Sequence, residues 1–325
     1  MSDLLIGALS ALLATNQPAA LSNLVKSVAG ISVHVPDKSH PLEAEFQKLM
    51  EADDLAQAEV DEWIKENNAF AAQGAGVDRA TLNVRIEKRF APVRKGYEDF
   101  LERHPKHAGA LLAYGSFLND IGEEMVAHDY WERARVADPS NAAAWNNLAN
   151  WYGHNSPVRK SFEYYQKAIE LDPTESVYWH NLATTVYLFR HDATNYYNID
   201  VQKVFEKAMG LYRKALELDP NNFILATDYA QSYYGFKTPK TGDAETDKKA
   251  ELRHWDEAMK AWNAALEIAR DDIERQGVYI HFARIQINAG RIEEARRHLN
   301  NVSNEMFTVT KNTLTKRISK QEASK

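Results

Sequence analysis

The chain has 325 residues and 44% hydrophobic content, so it can bury a large core as a globular protein or as one repeat array. Its net charge of −7 argues against nucleic-acid binding, because phosphate recognition requires clustered positive charge. The absence of cysteine excludes disulfides, thiolate metal sites and a cysteine nucleophile.

The N-terminal segment, residues 1–40, contains one ambiguous targeting signal. Residues 4–14 are apolar over the length of a signal-peptide core, and residues 20–22 would suit a cleavage site. The positive charge expected before such a core is missing, and the segment fits two short amphipathic helices around Pro18 equally well. We predict a cytoplasmic protein, with export as the alternative if residues 1–22 are an atypical signal peptide. No apolar run reaches about 18 residues, so no membrane span is predicted.

Residues 41–107 are predicted to form a helical cap with a degenerate repeat. One long helix is indicated by apolar residues that recur every seven positions, namely Leu42, Leu49, Ala56, Trp63 and Phe70. This stripe fits either a packing cap or a coiled-coil dimer seam along residues 42–70. We favour the cap and a monomer, because Asp53 and Asn67 interrupt the second apolar stripe.

A period of 34 residues begins after the cap. Pro105, Pro139 and Pro173 are each 34 residues apart, and Pro220 follows after a longer gap. Aromatic and small residues keep the same register, as in Tyr97, Trp131, Tyr165, Tyr212 and Trp262, and in Ala134, Ala168, Ala215 and Ala265. One helix pair cannot bury its own apolar stripe, so the period predicts neighbouring pairs that share a continuous core.

Each unit opens with a second signature, clearest in residues 145–152 (WNNLANWY) and 179–186 (WHNLATTV). A small residue beside the leucine position lets the paired helix approach closely, and these positions are Gly115, Ala149, Ala183, Ala230 and Ala283.

Together these residues resemble the tetratricopeptide repeat (TPR) family. The resemblance implies an all-α, right-handed α-solenoid superhelix of helix–turn–helix repeats over residues 108–310. The five predicted units are 108–141, 142–175, 176–222, 223–275 and 276–307.

The resemblance also implies a non-catalytic protein–protein interaction module, and nothing in the sequence argues for an enzyme. The eleven histidines are scattered, and Gly-rich phosphate loops are absent. Carboxylate pairs such as Glu123-Glu124 open helices, where they complement the helix dipole. We therefore predict no cofactor and no metal.

In the family, the first helices of successive repeats line a concave groove that binds an extended peptide. Carried over residue by residue, the groove positions are Asn146, Asn147, Asn150, His180, Asn181, Thr184, Tyr187, Thr227, Gln231, Tyr234 and Arg284, with Leu112, Ser116 and Ile280 beside them. Amides suit a peptide main chain because they donate and accept together, but Asn147 and Asn181 equally suit hydrogen bonds between repeats.

The partner is predicted to be a protein or peptide whose identity the sequence does not reveal. The basic clamp that some family members use for a chaperone carboxylate is missing at the matching positions, so that ligand is disfavoured. The alternative function is a structural assembly factor or scaffold that uses its outer or end surfaces.

Two insertions lengthen the third and fourth units, near residues 190–199 and 236–246. Both fall between the first and second helix, and each leads into a second helix that starts early. We predict that they form a ridge with exposed Tyr196, Tyr197 and Phe236, the alternative being harmless loop tolerance. The basic segment 311–325 is predicted to be a solvated, fraying tail.

Overall fold

The computed structural model describes residues 41–71 and 74–323, so the predictions for residues 1–40 lie outside the described part of the chain. The described residues form fourteen α-helices and two short 3-10 helices, without a strand. They divide into two compact units, the first ending at Asn181 and the second beginning at Leu182. The all-α repeat prediction is confirmed by helices paired in the predicted order.

The first unit contains a long hairpin followed by two shorter ones. Its helices are α1 (Pro41–Ala71), α2 (Arg79–Arg103), α3 (Ala108–Asp120), α4 (Glu124–Ala137), α5 (Ala142–Asn155) and α6 (Val158–Leu171). Helix α7 (Ser176–Leu188) begins in this unit and ends in the second.

The second unit continues the alternation with longer second helices. Its helices are α8 (Arg190–Tyr197), α9 (Val201–Leu218), α10 (Phe223–Ser232), α11 (Ala244–Glu267), α12 (Asp272–Asn288), α13 (Ile292–Asn300) and α14 (Thr308–Ala323). Helix α12 begins at Asp272 rather than at residue 276, because Asp271 caps it through the backbone N–H of Glu274.

The same side-chain hydrogen bond is found at two of the turns between repeats. The indole N–H of Trp145 donates to the carbonyl oxygen of Pro139 at 2.9 Å. The same bond joins Trp179 to Pro173 at 3.0 Å. Each tryptophan lies in the first turn of a first helix, so the 34-residue spacing of tryptophan and proline fixes where one hairpin ends and the next begins.

The periodic small and aromatic residues form the helix-crossing points. Ala134, Ala168, Ala215 and Ala265 are all fully buried. A Cβ built on Gly115 of α3 would lie 2.6 Å from the indole of Trp131 on α4, so only glycine allows this close approach. The predicted pairing of a small residue with a large aromatic is therefore confirmed in this repeat.

Four of the five residues of the seven-residue stripe of α1 pack into the core of their own unit, and the fifth, Phe70, is exposed. Ala56 is fully buried, and Leu42, Leu49 and Trp63 pack against the core cluster formed with α2 and α3. The guanidinium of Arg85 on α2 lies 3.7 Å from the ring centroid of Trp63. This packing supports the cap interpretation, since a dimer seam along the stripe would compete with it.

The predicted fraying tail, residues 311–325, is wrong for residues 311–323, which belong to a helix that begins at Thr308. This helix is α14, and Ile318 is fully buried with Leu314 against α12 and α13. The error has a physical cause. Only two apolar residues, four positions apart, face the core, so among the surrounding basic residues the sequence shows no clear apolar stripe.

Candidate functional site

The asparagines of the first unit form a hydrogen-bonded chain across three repeats. The amide of Asn147 on α5 donates to Ser116 Oγ on α3 at 3.2 Å. The amide of Asn146 donates to Asn147 Oδ1 at 3.3 Å, and Asn146 Oδ1 accepts from the amide of Asn181 on α7 at 3.0 Å. We call these four residues the amide ladder.

Burial removes two members of the ladder from the candidate peptide groove. The side chain of Asn146 is fully buried, and only 4% of Asn147 is exposed. Their amides are already used between neighbouring repeats, which is the alternative that the sequence left open for Asn147 and Asn181. The expectation that Asn146 and Asn147 contact a peptide is therefore corrected.

Three predicted groove residues of the first unit are half-buried, namely Asn150, His180 and Asn181. Asn150 Oδ1 accepts a hydrogen bond from the hydroxyl of Tyr165 on the second helix α6. Because its amide nitrogen is a separate donor, Asn150 can still donate to a ligand.

In the second unit, several predicted groove residues are buried or form hydrogen bonds within the protein. The hydroxyls of Thr184 and Tyr212 lie 2.9 Å apart, and Thr227 donates to its own helix at the carbonyl oxygen of Ile224. Tyr187 is only 8% exposed, so it lines the interior more than the surface.

Tyr234 belongs to a buried aromatic group around α12. Its hydroxyl lies 3.1 Å from Nδ1 of His281, and that imidazole stacks on Trp262 with ring centroids 3.9 Å apart. Burial lowers the pKa of His281 well below its usual value, so the ring is neutral at physiological pH. Tyr234 therefore has a structural role in addition to any contact with a ligand.

Gln231 and Arg284 differ from their neighbours in this unit. Within the described residues, the side chain of Gln231 has no hydrogen-bond partner and Arg284 joins no ion pair. Arg284 instead lies over the ring of Tyr234, 5.5 Å from its centroid. Both side chains are half-buried on first helices. They are therefore partly shielded from solvent and can still form hydrogen bonds with a ligand.

The three insertion aromatics are half-buried rather than exposed, which corrects the predicted exposed ridge. Tyr196 and Tyr197 pack edge to face at 4.7 Å, and Lys207 Nζ lies 4.2 Å from the centroid of Tyr197. Phe236 stacks on Phe205 of α9 at 4.1 Å. Both insertions thus pack on α9, and the first insertion is helix α8 rather than a loop.

Sequence reasoning missed the tyrosines of the second helices as partners of the groove. Tyr165 and Tyr212 fit the pattern of core aromatics, and they are buried, but each hydroxyl also bonds a first-helix side chain. The sequence signal for these bonds was the choice of tyrosine rather than phenylalanine, because a buried hydroxyl usually forms a hydrogen bond.

Among the described residues, histidine, aspartate and glutamate side chains do not gather into a metal-binding group. In residues 41–71 and 74–323, no group of three or more could hold a metal ion. The same stretches contain no helix with the length and apolarity needed to cross a membrane.

Comparison with known proteins identifies the repeat. A family model described as a tetratricopeptide repeat matches residues 142–175, which contain α5 and α6. No curated protein matches the sequence significantly.

Solved structures share the fold at low sequence identity. PilW, described as a widely conserved type IV pilus biogenesis factor, superposes with a TM-score of 0.51 and 14% identity over 79% of this chain and 98% of PilW. The pilF protein of Pseudomonas aeruginosa also gives a TM-score of 0.51 and 14% identity, over 83% of this chain and 99% of that protein. At such identities the likeness establishes the fold alone.

Proposed function

We propose that this chain, whose residues 142–175 match a tetratricopeptide repeat model, binds an extended peptide segment of a partner protein along the first helices of its repeats. Repeats of this type typically serve protein–protein interaction or assembly. The observation that carries the finer proposal is that Gln231 and Arg284 are both half-buried, while within the described residues Gln231 makes no side-chain hydrogen bond and Arg284 joins no ion pair. The amide can bond a peptide main chain, and the guanidinium can bond a carbonyl or carboxylate.

The first unit would contribute through Asn150 and His180. Both are half-buried on first helices, whereas the fully buried Asn146 is excluded. The positions that match a chaperone carboxylate clamp carry no lysine, so we propose main-chain recognition rather than capture of that C-terminal carboxylate.

The test starts with affinity purification and mass spectrometry to identify a partner. The purified partner is then titrated against wild type, Gln231→Ala/Arg284→Ala and the matched control Glu163→Ala/Glu170→Ala on the exposed side of α6. We expect binding to weaken about tenfold or more in the first variant, because one hydrogen bond to a charged group contributes about 1.5–3 kcal/mol. Equal affinity of all three proteins would refute groove binding.

A second function, assembly through an end surface, is favoured by exposed apolar residues on the α1–α2 hairpin. The exposed fraction is 57% for Leu55, 54% for Phe70, 52% for Val77 and 50% for Val84. Substituting Phe70→Ser and Val77→Ser together separates the two functions. If this variant loses the partner while the groove variant keeps it, the protein is a scaffold that acts through its end.

A further inference from the structure

The second unit contains a surface cavity of about 420 Å³, a size within the usual range for ligand pockets. It lies where the end of α7 meets the first turns of α8 and α9 and the start of the second insertion. Both insertions therefore contribute to it, through Arg190 from one and Phe236 and Lys237 from the other.

The walls of this insertion pocket are apolar and well packed. The rings of Phe205 and Phe236 stack at 4.1 Å with an interplanar angle of 20°. A Cβ on Gly235 would lie only 2.0 Å from the hydroxyl of Tyr187, so glycine allows the second insertion to close against α7. Val201 lines the opening and is 48% exposed, which leaves the cavity accessible from outside.

Two cations lie at the pocket and no carboxylate lines it. Arg190 and Lys237 are exposed, and neither joins an ion pair with any residue that the structure describes. Arg190 and Tyr187 both line the pocket; burial raises the pKa of the Tyr187 hydroxyl, and the nearby positive charge of Arg190 opposes that rise. The chain as a whole has a net charge of −7, but here two cations without an ion-pair partner lie beside an apolar cavity. The local charge is therefore complementary to an anion.

We propose that the insertion pocket anchors a segment of a partner protein in which a large hydrophobic side chain is followed or preceded by aspartate or glutamate. The hydrophobic side chain fills the cavity between Phe236 and Val201, and the carboxylate pairs with Arg190 and Lys237. Neither Gln231 nor Arg284 lines this pocket, so the proposal goes beyond the function proposed above and is tested independently of it.

The probe is a displayed library of random heptapeptides flanked by constant sequence, so that no library member offers a free C-terminal carboxylate. Selection on the wild-type full chain is followed by counter-selection on Val201→Trp, which fills the pocket from an exposed position. We expect enrichment of peptides that carry an aromatic or large aliphatic residue next to aspartate or glutamate. Failure to enrich such peptides, or enriched peptides that bind Val201→Trp equally well, would overturn the proposal.

An enriched peptide is then synthesised with a fluorescent label and its Kd is measured by polarisation. Arg190→Gln/Lys237→Gln should weaken binding at least tenfold, and replacing the acidic residue of the peptide with its amide should cause a similar loss. The matched control Lys248→Gln/Lys249→Gln removes two exposed lysines outside the pocket and should keep the wild-type Kd. An unchanged Kd in the arginine–lysine variant would overturn the role of the two cations.

Two further measurements show whether the peptide binds in the insertion pocket or in the groove, and whether ion pairs contribute to its binding. Gln231→Ala/Arg284→Ala should leave the Kd of the peptide unchanged, and a loss there would assign the peptide to the groove instead. Raising the salt concentration should weaken binding of the acidic peptide more than that of its amide analogue, because surface ion pairs are screened. Equal salt dependence of the two peptides would contradict the proposed ion pairs.

Discussion

At the scale of single residues, Ala168 tests the repeat register most directly. It is fully buried in a cluster with Ala142, Val177 and Tyr178, where helices of adjacent hairpins cross. Ala168→Leu should lower the free energy of unfolding by about 1–3 kcal/mol, because extra methylenes force the helices apart. Urea denaturation measures this change, with Glu170→Leu on the exposed side of α6 as the control. An unaltered stability in Ala168→Leu would show that the crossing point lies elsewhere.

The amide ladder should contribute to stability rather than to binding. Asn147→Ala removes the donor to Ser116 and the acceptor for Asn146, and leaves those groups without these partners. We expect a loss of about 1–3 kcal/mol in the free energy of unfolding. The exposed Asn155 on the same helix is a matched control, because its amide bonds only a carbonyl of that helix. If Asn147→Ala keeps wild-type stability but binds the partner more weakly, Asn147 contacts the partner in the groove instead.

Asp53 on α1 should make stability depend on pH. Burial raises its pKa from 3.8 to about 6, although Tyr97 donates a hydrogen bond to Asp53 Oδ2 at 2.8 Å. The folded-state pKa is above the unfolded one, so ionisation favours the unfolded chain. The destabilisation is absent below pH 3.8, grows up to about pH 6 and is constant above that.

Asp53→Asn should therefore stabilise the protein above pH 6, and the gain should disappear as the pH falls towards 3.8. The expected gain at neutral pH is about 1–2 kcal/mol, less than the full pKa shift would give because the side chain is only half-buried. Urea unfolding at neutral and at acidic pH measures it, with Glu66→Gln at an exposed site of α1 as the control. A gain independent of pH would contradict the titration of Asp53.

Residues in the core were easier to predict than residues in the groove. Ala168 and Trp131 follow from periodicity, because burial on one face of a helix repeats with the helical period. Asn146 and Asn150 lie one turn apart on α5, yet only one is fully buried. That difference depends on the angle between neighbouring helices, which the sequence of one repeat does not encode.

At the scale of elements, α14 should stabilise the end of the second unit. Ile318 is fully buried beside Ile280, Ala283 and Leu299. Ile318→Ala should lower the free energy of unfolding by about 2–5 kcal/mol, the range for removing a buried aliphatic side chain. The exposed Thr313 on the same helix, changed to alanine, is the control. If the two variants melt alike, α14 does not cap the unit.

The elements that sequence predicted best are those with the strict 34-residue period. The turns at Pro139 and Pro173 lie as predicted, because proline, tryptophan and the helix caps act together within a few residues. Helices α8 and α14 lack such agreement and were not predicted. Each carries one or two buried apolar residues, such as Ala193 or Ile318, and so has no clear hydrophobic period of its own.

At the scale of the whole molecule, a repeat array should not unfold as one cooperative body. Within each of the two compact units, a hairpin contacts mainly its neighbours in the chain, so a local perturbation should have a local effect. This expectation follows from the repeated hairpins, which the 34-residue period predicted. What the period did not predict is the insertion pocket, since inserted segments from two repeats build it together.

Native-state hydrogen exchange of Ala168→Leu tests this locality. Amides of α5 and α6, which pack around the substituted position, should exchange faster than in wild type because opening of this hairpin becomes less costly. Amides of α12 and α13 belong to a separate core around Ile287 and Ala295 and should keep their wild-type rates. A globular domain that opens only by global unfolding would lose protection in all its core helices by the same factor. Uniform acceleration in α12 and α13 as well as in α5 and α6 would therefore show that the repeats unfold together.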